Sequence, residues 1–272
     1  MTGLYISIVV GFCMMAFERV YPGTALPQVS RWLLRAISFN VYQVVIVVVA
    51  GYTWNVWLQG TSLLQMSEYN LWLGALLTYV CSTFIYYWWH RIRHESRFWW
   101  RFAHQIHHSA SRLEILTSFY KHPLEIWLNS VLSAGIVYPL MGCSVEQGTV
   151  YTLLIAGGEF FYHWNVRTPR WVGHLIQRPE SHRIHHQRGM HTKNYGDLPI
   201  FDKMFGTFSN PKNADRVKCG FDAELECSIG PMLLGREIET KRRSEPLPFS
   251  PACWGCHKKH RCEKERTGSL SD

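Results

Sequence analysis

The sequence predicts an all-α protein: a multi-pass transmembrane helical bundle with a cytoplasmic, histidine-rich cap. Three observations predict it. Five long apolar runs crowd the first 164 residues. All 28 Lys and Arg fall in alternate connecting segments. Fourteen His are present, and most stand in short, repeated spacings.

The apolar runs cover residues 3–17, 38–58, 71–89, 124–141 and 147–164. Most approach the ~20 residues that cross ~30 Å of hydrocarbon. The first is short but lacks the basic flank of a signal peptide, so a retained helix is expected. The second, with VYQVVIVVVAGY and no charge, is the most secure. A soluble domain of this size could not cover five helices that are apolar all round. In the fifth run, Gly157 and Gly158 are expected to let a neighbouring helix approach.

The basic residues orient the spans. Residues 18–37 hold three Lys or Arg, residues 90–123 hold six, and everything after Trp164 holds nineteen. Residues 59–70 and 142–146 hold none. Every basic residue therefore falls on one side, which the positive-inside rule names cytoplasmic. The same asymmetry accounts for the net charge of +8 without nucleic acid, for which no recognition motif is present. The eight Cys are scattered and do not form a disulfide framework.

Three histidine clusters follow spans: His90-Arg-Ile-Arg-His94, His104-Gln-Ile-His107-His108 and His182-Arg-Ile-His185-His186. On a helix, positions i, i+3 and i+4 share a face, so each cluster is expected to present its imidazoles in one direction. Imidazole is the commonest metal ligand, and a nitrogen-rich site suits Fe, Zn or Cu over Mg or Ca. His163 closes the fifth run on the same side of the membrane. Eight or nine imidazoles exceed the coordination of one ion, so two metals are expected.

These spacings resemble the fatty acid hydroxylase/sterol desaturase superfamily. So do Tyr162-His163-Trp164-Asn165-Val166, Lys121-His122-Pro123-Leu124-Glu125, and Asn194-Tyr195-Gly196-Asp197 followed by Phe201-Asp202-Lys203-Met204-Phe205-Gly206-Thr207-Phe208. The resemblance covers roughly residues 71–209. It implies an integral membrane oxidoreductase that hydroxylates or desaturates a lipid, such as a sterol or acyl chain, with dioxygen and external electrons. It also implies a di-iron centre, with zinc as an alternative occupant in purified protein. The implied ligands are His90, His94, His104, His107, His108, His182, His185 and His186, with His163 as a ninth. His122, Glu125 and Asn194 are expected as supporting groups or an extra ligand. Glu125 and Glu159 could each orient an imidazole through its second nitrogen.

Residues 1–70 are then N-terminal transmembrane helices, 71–215 the catalytic domain and 216–272 a basic cytoplasmic tail. The tail carries Cys253-Trp-Gly-Cys256-His257 and then His260 and Cys262, a pattern open to haem attachment, zinc or neither. There is no phosphate-cradling glycine loop and no iron–sulfur cysteine run. A separate donor is therefore expected, a ferredoxin or cytochrome-type carrier with its reductase, at a bacterial inner membrane rather than the endoplasmic reticulum. The rival expectation, a histidine-rich metal transporter or sensor, would place ligands along a path within the spans rather than at their ends.

Overall fold

A computed structural model describes residues 2–238. Helices are the regular structure of the described residues, which contain no strand; one isolated bridge pairs Gln187 with Cys219. Helix α1 is Thr2–Val20, α2 is Trp32–Tyr52 with a short continuation at Trp54–Trp57, and α3 is Leu71–Glu95. These three are long and apolar enough to cross a membrane. Only 17%, 22% and 39% of their most apolar windows are buried inside the protein. The remainder presents side chains such as Val9, Val10, Leu34, Val45, Leu76 and Phe84 outward, which is stable in hydrocarbon and not in water.

After α3 the chain makes the short helix α4, Gln105–Ser109, and then two antiparallel helices. Helix α5, Pro123–Gly135, starts with proline, whose missing N–H costs nothing in a first turn. It ends in a π-helical turn, Ile136–Leu140, around Pro139, which cannot donate to the helical ladder. Helix α6, Val145–His163, opens on a reciprocal cap in which Ser144 and Gln147 each accept the other's backbone N–H. Of the five expected spans, then, only three pass on length and apolarity. The fourth is interrupted by its π-turn, and the fifth carries Glu146, Gln147 and Glu159.

Helix α1 packs on α6, α2 on α5, and α3 on α6. Close approach of α3 to α6 rests on Gly74, where a Cβ would lie 2.2 Å from Gln147 Nε2. Of the two glycines expected to serve that purpose, Gly158 faces Asp197 and Tyr79, whereas a Cβ on Gly157 would meet nothing. Buried Glu18 ties the end of α1 to the cap, accepting N–H groups from Ile115 and Asn165.

Two apolar cores lie at opposite ends. One gathers Met66, Tyr79, Ile136, Val137, Met141 and Tyr151. The other joins Trp32 and Phe39 of α2 to Trp100, Ile106 and Tyr120, and it also takes in Phe221 and Met232. The expected boundary at residues 215–216 is therefore no break in packing. Burial of Phe221 and Met232 makes this stretch part of the same body rather than a tail. The cysteine–histidine segment from Cys253 to Cys262 lies outside the described residues.

Candidate metal centre

Each histidine is placed by the end of a helix. His90 and His94 occupy the last turns of α3. His104 ends a π-helical turn, Trp100–His104, and His107 and His108 sit on α4. His163 is the last residue of α6. His182 and His185 lie on a seventh helix, α7, Pro179–His185, with His186 at its cap. The nine rings collect into two groups, and within each group the ring nitrogens lie within 4.8 Å of one another. One group is His90, His94, His104, His108 and His185; the other is His107, His163, His182 and His186.

The HxxHH clusters do not each face one way, as the helical spacing had suggested. In both, the i and i+4 rings enter one group and the i+3 ring enters the other. The two clusters make opposite assignments: His104 and His108 join the first group with His185, while His182 and His186 join the second with His107. Helix α3 completes the first group and α6 the second. The rings of His108 and His186 stack at 4.2 Å across the boundary.

Backbone carbonyls fix the rings. Nδ1 of His90 is 2.8 Å from the Tyr195 carbonyl, and Nδ1 of His163 is 2.8 Å from that of Glu159. His185 Nδ1 meets the Lys193 carbonyl at 2.7 Å, and His107 Nδ1 meets that of Tyr120 at 3.3 Å. A carbonyl can only accept, so in each ring Nδ1 carries the proton and Nε2 presents a lone pair inward. His104 is held differently. Its Nδ1 lies 3.0 Å from Glu125 Oε1, and that fully buried carboxylate also accepts from Arg93.

This geometry fits metal. The inward Nε2 atoms of His107 and His163 stand 3.3 Å apart, so two neutral rings would face lone pair to lone pair. Nε2 of His182 likewise stands 3.1 Å from Nε2 of His163 and from Nε2 of His186, and both nitrogens of His108 are buried without a hydrogen-bond partner among the described residues. Buried lone pairs in this state are costly unless a cation takes them. Burial above all, and then neighbouring charges, holds His104, His107, His108, His182 and His186 well below the ordinary imidazole pKa, in the neutral form a metal requires.

A cavity of about 680 Å³ leads to this centre. Its walls come from α1, α2, α5 and α6, with Phe12, Val44, Val47 and Ile155 among its apolar lining. It ends on His90 and His104 of the first group and His107, His163 and His182 of the second.

Comparison with known proteins agrees with the site. The fatty acid hydroxylase family profile matches residues 75–207. This stretch, just under half of the chain, resembles the fatty acid hydroxylase/sterol desaturase superfamily. It is similar to alkylglycerol monooxygenase of Xenopus tropicalis, 30% identical over 48% of this chain and 30% of that protein. It is also similar to the ornithine lipid hydroxylase OlsE of Rhizobium tropici, 29% identical over 56% of this chain and 46% of that protein. With C-4 methylsterol oxidase erg25 of Schizosaccharomyces pombe it shares 34% identity over 43% of this chain and 40% of that protein. The matched region is thus less than half the length of these relatives, and no solved structure matches the chain.

The superfamily motifs outside the histidine clusters hold the site rather than join it. His122 lies in neither group; its ring caps α5, accepting the Leu124 N–H at 3.0 Å. Asn194 has a left-handed backbone, φ 56°, and its side-chain amide donates to Ser181 at 2.8 Å and Ser209 at 2.9 Å, tying α7 to the following loop. Asp202 accepts the N–H groups of Tyr195 and Gly196, which sets the Tyr195 carbonyl against His90. His191 packs against His108, ring centres 4.7 Å apart, without entering either group. Glu125 both orients His104 and pairs with an arginine, Arg93, while the propping carbonyls of Tyr120, Lys193 and Tyr195 have no side-chain signature in the sequence. Arg93, inside the first HxxxH, has a sequence signal, being charged beside two ligands at the end of a span.

Proposed function

We propose that the protein is an integral membrane oxidoreductase that hydroxylates or desaturates a lipid with dioxygen and external electrons. The observation that carries this reading is the cavity, lined between the helices mainly by apolar side chains and ending on both groups of imidazoles. Iron bound by His90, His94, His104, His108 and His185, and by His107, His163, His182 and His186, would supply the dioxygen-dependent oxidation of a C–H bond. Iron is favoured over zinc because side-chain acid–base chemistry cannot break such a bond and zinc has no redox chemistry. The chain's own part is placement: α1, α2, α5 and α6 hold the substrate and exclude water, and the carbonyls and Glu125 keep the Nε2 atoms pointed inward.

The basic connecting segments support an active site on the cytoplasmic face. A bacterial inner membrane suits this reading, with a ferredoxin or cytochrome-type carrier and its reductase supplying two electrons per turnover. The relatives' names, which specify an alkylglycerol, an ornithine lipid and a methylsterol, support a lipid substrate in general. The test is oxygen uptake by iron-loaded protein with such a donor and membrane lipid extract. Uptake that depends on lipid and donor and yields a hydroxylated or desaturated lipid is expected. Iron-loaded protein that consumes no oxygen with any lipid fraction would contradict the reading.

A further inference from the structure

The deep end of the cavity is not apolar. Lys121 and Glu159 both line it, with Lys121 Nζ 2.7 Å from Glu159 Oε1 and the two side chains only 7% and 18% exposed. An ammonium has three N–H donors; one meets Glu159, and the Phe119 ring centre lies 5.6 Å from Nζ. On the acceptor side, Oε2 of Glu125, which lines the same end, is buried without a hydrogen-bond partner among the described residues, while Oε2 of Glu159 lies 3.7 Å from His163 Nδ1. Donor capacity and an unmet acceptor thus stand together beside His107 and His163.

A plain hydrocarbon chain would leave the remaining Lys121 N–H donors and the second Glu125 oxygen unmet, and burial makes that unfavourable. A hydroxyl answers both, because it accepts through oxygen and donates through its proton. The apolar stretch behind, along Phe12, Val44 and Ile155, then suits the rest of an amphiphile. Resting on the reading of this cavity as the substrate site, we propose that the substrate is a lipid with a free hydroxyl close to its reacting carbon. Lys121 and Glu159 are the specificity-determining pair that receives that hydroxyl. A site built to hydrogen-bond a hydroxyl discriminates strongly against an analogue that cannot match it.

Straight-chain and ring alcohols share this chemistry, so the test uses a pair for each: 1-octadecanol against 1-methoxyoctadecane, and cholesterol against its methyl ether. Equilibrium binding of the tritiated lipids is measured with the full chain, iron-loaded and without reductant, in phosphatidylcholine nanodiscs, with empty discs as blank. At least one alcohol is expected to bind tenfold or more tightly than its ether, and the pair that does so identifies the source. Lys121→Met combined with Glu159→Leu removes both charges together and is expected to reduce that preference to less than twofold. Glu159→Gln, nearly isosteric, is expected to weaken it and serves if the double variant fails to fold. Equal binding of alcohol and ether in both pairs would overturn the proposal while leaving the cavity as a lipid site. No binding above empty discs by any probe would overturn it together with the reading of the cavity. A preference that survives both variants would show that another group reads the hydroxyl.

Discussion

At the residue scale, the centre depends on groups that never need to touch metal. Glu125 is fully buried between the Arg93 guanidinium and His104 Nδ1. Changing Glu125→Gln leaves a buried arginine without its counter-charge and weakens the one ring held by a carboxylate. Loss of about 3 kcal/mol of stability is expected, with iron affinity lower by roughly 10–100-fold, read by unfolding and by metal titration. The same burial sets a pH dependence. His104, His107, His108, His182 and His186 sit below the ordinary value of 6.5 in the folded chain, so the unfolded chain takes up protons that the folded one refuses. Stability of the metal-free protein should be complete above that value and fall as pH is lowered through it. Unfolding curves between pH 5 and 8 check this, and a flat profile would contradict it. Eight of the nine rings gathered here stand in HxxxH or HxxHH spacings, which is what makes them conspicuous in the sequence; His163 stands alone and is marked only by its place at the end of the fifth run. Their division was not legible, since which ring meets which depends on how four separate helix ends converge. His122 was ambiguous for a similar reason: a histidine before Pro123 can cap a helix or bind a metal, and only position decides.

At the element scale, the apolar runs located every long helix. Where a run was broken from within, the sequence was less informative. Pro139 was visible, yet whether it would kink α5 or close a π-turn depends on the turn that receives it. The π-turn at Trp100–His104 had no marker at all. The strap at residues 219–221 was hidden more deeply, because a basic C-terminal region reads as solvated. It joins the two HxxHH clusters: Gly220 N–H reaches the His186 carbonyl at 3.2 Å and Phe221 N–H reaches that of Ser109 at 3.1 Å. Gly220 has φ +73°, and a Cβ there would lie 2.5 Å from the Ala110 carbonyl carbon. A side chain therefore meets both left-handed strain and fixed backbone. Gly220→Val should cost about 2 kcal/mol or more and lower bound iron. Gly157→Ala, in open space, should be neutral or stabilising by up to ~1 kcal/mol. Thermal unfolding of the two variants side by side checks the contrast, and equal effects would contradict it.

For the whole molecule, charge and apolarity support the proposed placing of the centre at one membrane face, with its cavity opening towards the bilayer. The 28 Lys and Arg all lie on one side of the expected spans. A reporter fused after Ser209 should be cytoplasmic and one inserted near Ser144 external; both on one side would contradict the proposed topology. The central claim is that the two imidazole groups are two metal sites. It is tested most directly by counting iron in the purified, reconstituted chain by mass spectrometry, for the wild type and for one variant in each group. The wild type should hold two iron ions per chain. His94→Ala and His163→Ala should each fall towards one, because each removes a ligand from a different group. A wild type that binds a single ion per chain, or two variants that each keep both ions, would contradict it.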